Sequence, residues 1–175
     1  MVVVERLHGA LARGAPILCE LLGFGMNADA SHICIPSVDG QAAAMVAALD
    51  YGCLARSEIE YVNAHGTATR VGDVAETRAI RQAFGEHANT LAVSSTKSAH
   101  GHLLGAAGAL EFVATLAALH AGFLPATLNL RHRDPECDLD YVPNEPRVAS
   151  IDTFMSNSFA FGGSNAILVA SREPR

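Results

Sequence analysis

Segments with the pattern of strands and segments with the pattern of helices alternate along most of this chain. The apolar run LAVSST, residues 91–96, predicts a buried strand, and the Ala-rich stretches GQAAAMVAALDYGC and GHLLGAAGALEFVATLAALHAG predict helices. Near the end, IDTFMSNSF and NAILVAS predict two strands joined by the tight turn AFGGS. The alternation predicts an α/β fold in α/β/α layers, with a mixed and mostly parallel sheet covered by helices.

The first half of the sequence carries further signals of the same kind. The β-branched opening VVVE predicts a short strand. Asp73, with Glu76 three residues later, resembles a capping box and predicts a helix from Val74 to about Phe84. Three more segments complete the predicted elements: a helix in ERLHGALARG, a strand in PILCELLGFGMNAD and a strand in EIEYVNAH.

The amino-acid composition limits the number of domains and the fold classes that the chain can form. A chain of 175 residues, half of them apolar, is long enough for one domain with a substantial core and too short for two comfortable ones. The 15 glycines, the many alanines and the lack of tryptophan predict close packing of helices on a sheet, rather than a sandwich filled by aromatic side chains. We therefore expect a single domain with small residues at the helix–sheet contacts.

Charge and cysteine content argue against several classes of function. The formal charge is −6, and the densest basic cluster, at 131–133, predicts a solvated loop, so we expect no nucleic-acid partner. No apolar run has the length of a membrane span and the start lacks the order of a signal peptide, so we expect a soluble cytoplasmic protein without a membrane partner.

The four cysteines form no CxxC pair and predict reduced, buried thiols. His100 and His102 lack further ligands at the usual spacing, so no metal site is expected.

Three polar segments fall where predicted strands end. They are VNAHGTAT around His65, SSTKSAHGHLLGAAGALE at 94–111, and SNSFAFGGSNA at 156–166. Taken singly, each has a plain structural explanation: His65 as a hydrogen-bonded core histidine, Lys97 as a solvated loop charge and FGG as an ordinary hairpin turn. Ligands nevertheless bind at strand ends in open α/β sheets, which makes the three segments candidates for one site.

The helix predicted after His102 is the segment with the weakest plain explanation. The glycines of GAAG weaken a helix unless another backbone approaches closely, and the apolar circumference predicts burial. Glu111 is then a lone acid that must find a partner, be neutral or coordinate a cation. His102 is expected in the first turn, where the macrodipole disfavours an imidazolium. A neutral imidazole beside His65, with Lys97 adding positive field, would donate a hydrogen bond to a developing oxyanion.

Together the three segments resemble the β-ketoacyl-acyl carrier protein synthases, condensing enzymes of the thiolase-like fold, and specifically the elongating Cys-His-His type. The ordered trio NAHGTxT, SxTKSxxGHxxGAAGxxE and NSFxFGG carries the resemblance, which covers essentially the whole chain. It implies a thiolase-like half-fold and a decarboxylating Claisen condensation, in which an acyl group on a nucleophilic cysteine accepts a carbanion made from malonyl-acyl carrier protein. It implies no cofactor beyond the phosphopantetheine arm that arrives on the carrier protein.

The resemblance also implies roles for individual residues. His65 and His102 match the histidines that bind the malonyl thioester carbonyl and stabilise the enolate, and Lys97 matches the lysine that organises them. The remaining matches are Thr67 and Thr69 on the phosphopantetheine arm, Glu111 as a buried supporting acid, Phe161 as the gating aromatic and oxyanion-hole amide, Gly162 and Gly163 as its turn, and Phe159 as pocket wall or core. The expected partners are acyl carrier protein, the N-terminal half of the same synthase and further copies in a homo-oligomer.

The sequence departs from the family pattern in three respects. His100, where threonine is common, adds a third imidazole near the site, and Ala160 stands where glycine is frequent, so gating and acyl chain length are open. None of the four cysteines has the setting of the family nucleophile, which belongs to the N-terminal half of a duplicated fold. We therefore expect residues 17–175 to be the C-terminal thiolase-like domain and residues 1–16 to be a strand and helix remnant of the first half.

Three hypotheses about function stay open at this point: the C-terminal part of a condensing enzyme, a non-catalytic partner subunit like the chain-length factors, and an acyl-binding module. Both histidines and Lys97 favour the first. Within it, fatty acid synthesis competes with a polyketide or aryl-polyene pathway, and His100 and Ala160 lean slightly to the second. A half-fold would also expose apolar surface, which predicts self-association.

Overall fold

The structure is a computed structural model that describes residues 2–175. Within these residues, strands and helices alternate as the sequence predicts. The strands are β1 (Glu20–Ala28), β2 (Tyr61–Asn63), β3 (Ala92–Ser94), β4 (Phe123–Leu124), β5 (Arg147–Val148), β6 (Thr153–Ala160) and β7 (Ser164–Ser171). The helices are α1 (Leu7–Ala12), α2 (Val38–Tyr51), α3 (Arg70–Phe84), α4 (Lys97–His100) and α5 (Ala107–His120).

Five of the strands form one mixed sheet in the order β1-β7-β6-β2-β3. β2 pairs in parallel with β3 and with β6, whereas β7 pairs antiparallel with β6 and with β1. Four strands of this sheet therefore run in one direction and β7 runs against them, in agreement with the expected mixed, mostly parallel sheet. β6 and β7 form the expected hairpin.

Consecutive residues of the strands enter two different cores, one on each face of the sheet, because side chains alternate along a strand. Val62 and Met155 pack in the core that α2 and α3 cover. Their neighbours Tyr61 and Phe154 pack in the second core, against Phe112 of α5. This arrangement is the α/β/α layering that the alternation of elements predicts.

Small residues bring α2 onto the edge strand β1, as the composition predicts. A Cβ atom on Gly23 would lie 2.2 Å from the carbonyl oxygen of Ala48, and one on Gly25 would lie 2.0 Å from that of Ala44. Both distances are far below van der Waals contact, so only glycine allows this approach of helix and strand.

Two expectations about where elements begin are wrong. The opening VVVE forms no strand within the described residues, and its side chains are exposed because no neighbouring strand pairs with them. The helix expected from Val74 begins at Arg70, with Thr69 at its N-cap. Asp73 therefore lies inside the first turn, and Glu76 faces the interior instead of completing a capping box.

The long helix expected at 101–122 begins later than predicted, at Ala107. The short helix α4 and one 3-10 turn, Leu104–Ala106, come before it, because Gly101 with φ +81° and Leu104 with φ +52° interrupt the helical path. His102 therefore lies in a loop and not in a first helical turn. The helix is buried on one side only, since Val113 is 45 % exposed.

The helices of this fold are short. The longest, α3, has 15 residues, and α2 and α5 have 14 residues each. No helix in the described part of the chain combines the length and apolar character that crossing a bilayer requires.

Candidate functional site

The structure brings His65 and His102 together at neighbouring strand ends. His65 follows β2, and His102 lies in the loop that leads from β3 through α4 towards α5. Their ring centroids are 5.5 Å apart and their planes are nearly perpendicular. The ring of Phe159 on β6 lies 5.7 Å from that of His65. Parallel pairing of β2 with both β3 and β6 is what places these loops at one edge of the sheet.

Lys97 supplies the cation of this site. Its Nζ lies 3.3 Å from Nδ1 of His65 and 2.7 Å from Oε1 of Glu111. The side chains of Lys97 and Glu111 are 5 % and 1 % exposed, so each buried charge needs the other. Of the three alternatives open for Glu111 in the sequence, the structure therefore selects a partner, and that partner is Lys97.

Electrostatics keep the His65 imidazole neutral. Burial lowers its pKa, and the neighbouring Lys97 and His102 lower it further, to about 3. An ammonium group donates hydrogen bonds and cannot accept them, so Nδ1 of His65 is the acceptor in the contact with Lys97. This assigns the ring hydrogen of His65 to Nε2.

His102 reaches the same tautomer through its loop. Its Nδ1 accepts the backbone N–H of Leu104 at 3.2 Å, which assigns the ring hydrogen to Nε2. Its Nε2–H is then available to donate, like that of His65. The first-turn position predicted for His102 is wrong, because α5 begins only at Ala107.

Glu76 holds the backbone turn that carries His65. Its two carboxylate oxygens accept the N–H of His65 at 2.9 Å and the N–H of Gly66 at 2.8 Å. Oε1 also accepts a hydrogen bond at 3.0 Å from the side chain of Asn157 on β6. Burial raises the pKa of Glu76, while these donors act in the opposite direction.

The sequence analysis missed this role of Glu76 because the spacing from Asp73 suggested a helix cap. A different signal was available: Glu76 lies on the face of α3 that otherwise carries the buried residues Ala79, Ile80 and Ala83. An acid on an apolar helix face needs a buried donor, by the argument applied to Glu111.

A cavity of about 570 Å³ lies beside these groups. Lys97, His102 and Thr67 form part of its wall, and the segment from Thr127 to Asp134, which follows β4, forms another part. The hydroxyl of Thr67 lies 3.1 Å from that of Thr69, but only Thr67 lines the cavity, and Thr69 occupies the N-cap position of α3. The cavity therefore combines two of the three expected catalytic groups with one of the two expected arm-binding threonines.

The β6–β7 turn places its two phenylalanines in opposite environments. Phe159 is 9 % exposed and packs against His65, so it is part of the core. Phe161 is 80 % exposed and does not line the cavity. Gly162 and Gly163 have φ values of +80° and +75°, which explains the glycine pair. The gating role expected for Phe161 stays a prediction.

His100 does not line the cavity. Its Nε2 lies 3.2 Å from the hydroxyl of Thr96, and its Nδ1 lies 2.8 Å from the carbonyl oxygen of Gly101. These contacts hold a third imidazole close to Lys97, and its role in the site stays a prediction. Ala160 ends β6, and its carbonyl oxygen accepts the N–H of Gly163 at 3.2 Å.

The four cysteines are free, as expected, but none of them is buried. Cys34 and Cys53 are exposed, and Cys19 and Cys137 are half-buried. Cys137 lines the cavity, and desolvation raises the pKa of its thiol. A raised pKa is the opposite of what a thiolate nucleophile needs.

Comparison with known proteins identifies the family of this chain. Residues 18–131 match the family described as "Beta-ketoacyl synthase, C-terminal domain". The chain belongs to the beta-ketoacyl synthase family. The matched segment contains His65, Lys97, His102 and Glu111, and its match confirms the family resemblance drawn from the three polar segments.

Individual relatives and solved structures agree with this assignment. The chain is 51 % identical over 170 residues to 3-oxoacyl-[acyl-carrier-protein] synthase 2 of Synechocystis, covering 96 % of this chain and 41 % of the relative. It is 49 % identical over 168 residues to nodulation protein E of Rhizobium meliloti, covering 96 % and 42 %. A solved type II polyketide ketosynthase in complex with its acyl-carrier protein matches with a TM-score of 0.92 at 34 % identity, over 97 % of this chain and 42 % of that chain. The thiolase-like fold is thereby confirmed, and the chain spans less than half the length of the relatives it matches.

Proposed function

We propose that this chain is the C-terminal part of a 3-oxoacyl-[acyl-carrier-protein] synthase that condenses malonyl-acyl carrier protein with an acyl thioester in fatty acid biosynthesis. The observation that carries the proposal is the pair of adjacent imidazoles, His65 and His102, whose Nδ1 atoms both accept hydrogen bonds so that both Nε2–H groups can donate, with Lys97 beside them. Donors that are fixed before the reaction stabilise a developing oxyanion more than the carbonyl from which it forms.

The decarboxylation step needs only these donors from this domain. The malonyl thioester oxygen accepts hydrogen bonds from both Nε2–H groups. When the bond to the malonyl carboxylate breaks, carbon dioxide leaves and the electron pair passes into the thioester as an enolate. The α-carbon then attacks the acyl thioester carbonyl, a carbon–carbon bond forms and the thiolate that held the acyl group leaves. In this proposal that thiolate is the cysteine of the N-terminal half.

Lys97 contributes in two ways. Its charge helps to keep the neighbouring imidazole of His65 neutral, so that Nδ1 accepts and Nε2 donates. It also adds positive potential where the enolate charge develops. Glu111 balances the cation when the site is empty, which allows Lys97 to remain charged at a position that is almost inaccessible to water.

Acyl carrier protein is the proposed substrate carrier, with Thr67 and Thr69 contacting its phosphopantetheine arm. The solved polyketide ketosynthase in complex with its acyl-carrier protein supports this partner. The remaining partners are the N-terminal half of the synthase and further copies of the whole protein, in the cytoplasm. Within this proposal, residues 17–175 are the C-terminal domain and residues 1–16 belong to the end of the first half.

A ketosynthase of a polyketide or aryl-polyene pathway is the second candidate. The similarity to a solved polyketide ketosynthase favours it, as do the departures at His100 and Ala160. A chain-length-factor-like subunit without catalysis is disfavoured, because it would need neither the histidine pair nor Lys97.

The test is release of labelled carbon dioxide from malonyl-acyl carrier protein by a chimera in which this chain replaces the matching part of the Synechocystis relative. His65→Ala and His102→Ala should each lower the rate by about 100-fold or more, since each removes an oxyanion donor. His120→Ala is the matched control, because that exposed histidine lies outside the cavity wall and its side chain bonds the carbonyl oxygen of Leu18. Release that survives both substitutions would sink the proposal. Elongation of saturated acyl primers would favour the first candidate, and elongation of unsaturated primers would favour the second.

A further inference from the structure

The turn that carries His65 has an unusual backbone. Gly66 has φ +34° and Ala68 has φ +59°, and the second value is one that alanine rarely adopts. Such conformations persist only when surrounding contacts hold them. The carboxylate of Glu76 provides one set of contacts, on the N–H groups of His65 and Gly66.

Ser95 provides the contact on the other side of the turn. Its hydroxyl donates to the carbonyl oxygen of Gly66 at 2.8 Å. The two residues are so close that a Cβ atom on Gly66 would lie 2.6 Å from Cβ of Ser95. Ser95 is also two positions before Lys97, so one short segment contacts the His65 turn and carries the cation that faces its ring.

The same segment is bonded to the cavity wall. The N–H of Ser95 donates to the hydroxyl of Thr127 at 3.1 Å. The hydroxyl of Ser98 donates to the carbonyl oxygen of Ser95 at 2.9 Å and accepts the N–H of Leu128 at 2.8 Å. Thr127 and Leu128 both line the cavity. A continuous set of hydrogen bonds therefore joins this part of the wall to the carbonyl group of Gly66.

We propose that Ser95 is a positioning residue for His65, and that it couples the cavity wall at Thr127 and Leu128 to the orientation of the His65 imidazole. Ser95 does not reach the reacting atoms. It acts by fixing the peptide that follows His65, so that Nε2 points to the place shared with His102. The catalytic consequence rests on the proposed function, whereas the structural coupling does not.

The neighbouring residue offers a matched control. Ser94 is buried and its hydroxyl also makes one short hydrogen bond, of 2.6 Å to the hydroxyl of Tyr61, but this hydroxyl makes no hydrogen bond to the His65 turn. Only the backbone carbonyl of Ser94 bonds near the turn, to the N–H of Ala64, and Ser94→Ala leaves that bond in place. Ser94→Ala and Ser95→Ala therefore delete the same group from adjacent positions. A structural role alone predicts the same effect of both substitutions on His65.

The experiment is a long-range proton–nitrogen spectrum of the full chain with nitrogen-15 in its histidines. Ser95→Ala should shift or split the ring-nitrogen signals of His65, while Ser94→Ala should leave them in place. Thr127→Val, which keeps the shape of the side chain and removes the acceptor, should shift the same signals by less. If Ser95→Ala does not fold, Thr127→Val decides alone. Unchanged His65 signals in both Ser95→Ala and Thr127→Val, or equal changes in Ser94→Ala, would overturn the proposal.

Activity supplies a second readout in the chimera. Ser95→Ala should lower kcat for decarboxylation about tenfold with little change in KM, because a misplaced donor affects the transition state more than binding. A rise in KM at constant kcat contradicts the positioning role. If the unsubstituted chimera releases no carbon dioxide, the proposed function fails, and the spectra still test the coupling.

Discussion

At the scale of single residues, the site is organised around one buried cation. Lys97 contacts an imidazole and a carboxylate at the same time, so its charge is balanced by Glu111 and sensed by His65. Lys97 and Glu111 are buried and His65 is half-buried, which makes these interactions stronger than they would be in water. The chemistry of the site therefore depends on Lys97 together with Glu111, although Glu111 does not line the cavity.

We predict that Lys97→Ala lowers the free energy of unfolding by about 3 kcal/mol or more, because it leaves Glu111 buried without a partner. Replacing both residues, as Lys97→Met with Glu111→Leu, should restore most of the loss. Arg78→Ala is the control, since Arg78 and Glu136 form an exposed pair and its loss should cost less than about 1 kcal/mol. Urea titrations measure all three variants. Equal losses in Lys97→Ala and Arg78→Ala would contradict the prediction.

The pKa of His65 predicts a dependence of stability on pH. The folded value is about 3 and the ordinary value is 6.5, so below pH 6.5 the unfolded chain binds a proton that the folded chain does not. The contribution of His65 to the free energy of unfolding is therefore fully present above pH 6.5. It is lost as the pH falls towards 3, with a slope of up to about 1.4 kcal/mol per pH unit. Relative to the unsubstituted chain, His65→Gln should remove this slope between pH 4 and 6. His8→Gln is the control, because His8 is exposed and its replacement should leave the slope unchanged. A slope that persists in His65→Gln would refute the assignment.

At the scale of elements, the β6–β7 hairpin is attached to the loop that follows β1. The carbonyl oxygen of Gly163 accepts the N–H of Asp29 at 2.8 Å, and the N–H of Gly162 donates to the carbonyl oxygen of Ile33 at 2.9 Å. Asn165 donates to the Asp29 carboxylate at 2.7 Å. The turn that carries Phe161 therefore owes its position to a second loop as well as to its own strands.

We predict that Gly163→Ala destabilises the protein more than Gly122→Ala does. Both glycines have positive φ, of +75° and +84°, and so both substitutions strain the backbone by about 1 kcal/mol. A Cβ atom at Gly163 would in addition lie 2.5 Å from Cβ of Asp29, whereas one at Gly122 meets nothing within 4 Å. Thermal unfolding of the two variants measures the difference. Indistinguishable midpoints would show that the contact with Asp29 yields without cost.

At the scale of the whole molecule, the two faces of the sheet are unequally covered. α2 and α3 cover one face, while α5 covers only part of the other. Phe24 and Met26 alternate along β1 with the glycines that face α2, and they are 50 % and 77 % exposed. Val113 on α5 is also 45 % exposed. Large apolar side chains exposed in this way favour packing against another protein surface.

This open face predicts self-association of the chain in solution. Light scattering after size exclusion should report species larger than a monomer at micromolar concentration. Met26→Lys with Val113→Lys should shift them towards the monomer, because charge on the apolar face opposes its burial. Val71→Lys, on the exposed side of α3, should have no such effect. A clean monomer of the unsubstituted chain, with no binding of a hydrophobic dye, would argue against the prediction.

The sequence predicts local structure better than contacts between distant residues. The β6–β7 hairpin, α2 and the layered fold follow from periods of two and 3.6 residues, which are local properties. The starts of α3 and α5 were misplaced, since Asp73 and Glu76 imitate a cap and the loop at Gly101 to Leu104 interrupts a helical pattern. The contacts of Glu76 with the His65 turn were missed because its spacing from Asp73 suggests a helix cap, and the contact of Ser95 with Gly66 was missed because the two residues lie on different strand ends.

The sequence by itself determined most of the longer strands and helices, their layering around a sheet, and the three segments that carry the residues of a condensing-enzyme family. Periodicity and motif spacing need no knowledge of distant contacts. Only the tertiary structure decided that Glu111 pairs with Lys97, that His65 is neutral with its hydrogen on Nε2, and that His100 contacts Thr96 without lining the cavity. Charge and tautomer depend on burial and on neighbours within a few ångströms, and folding brings those neighbours together from separate strand ends.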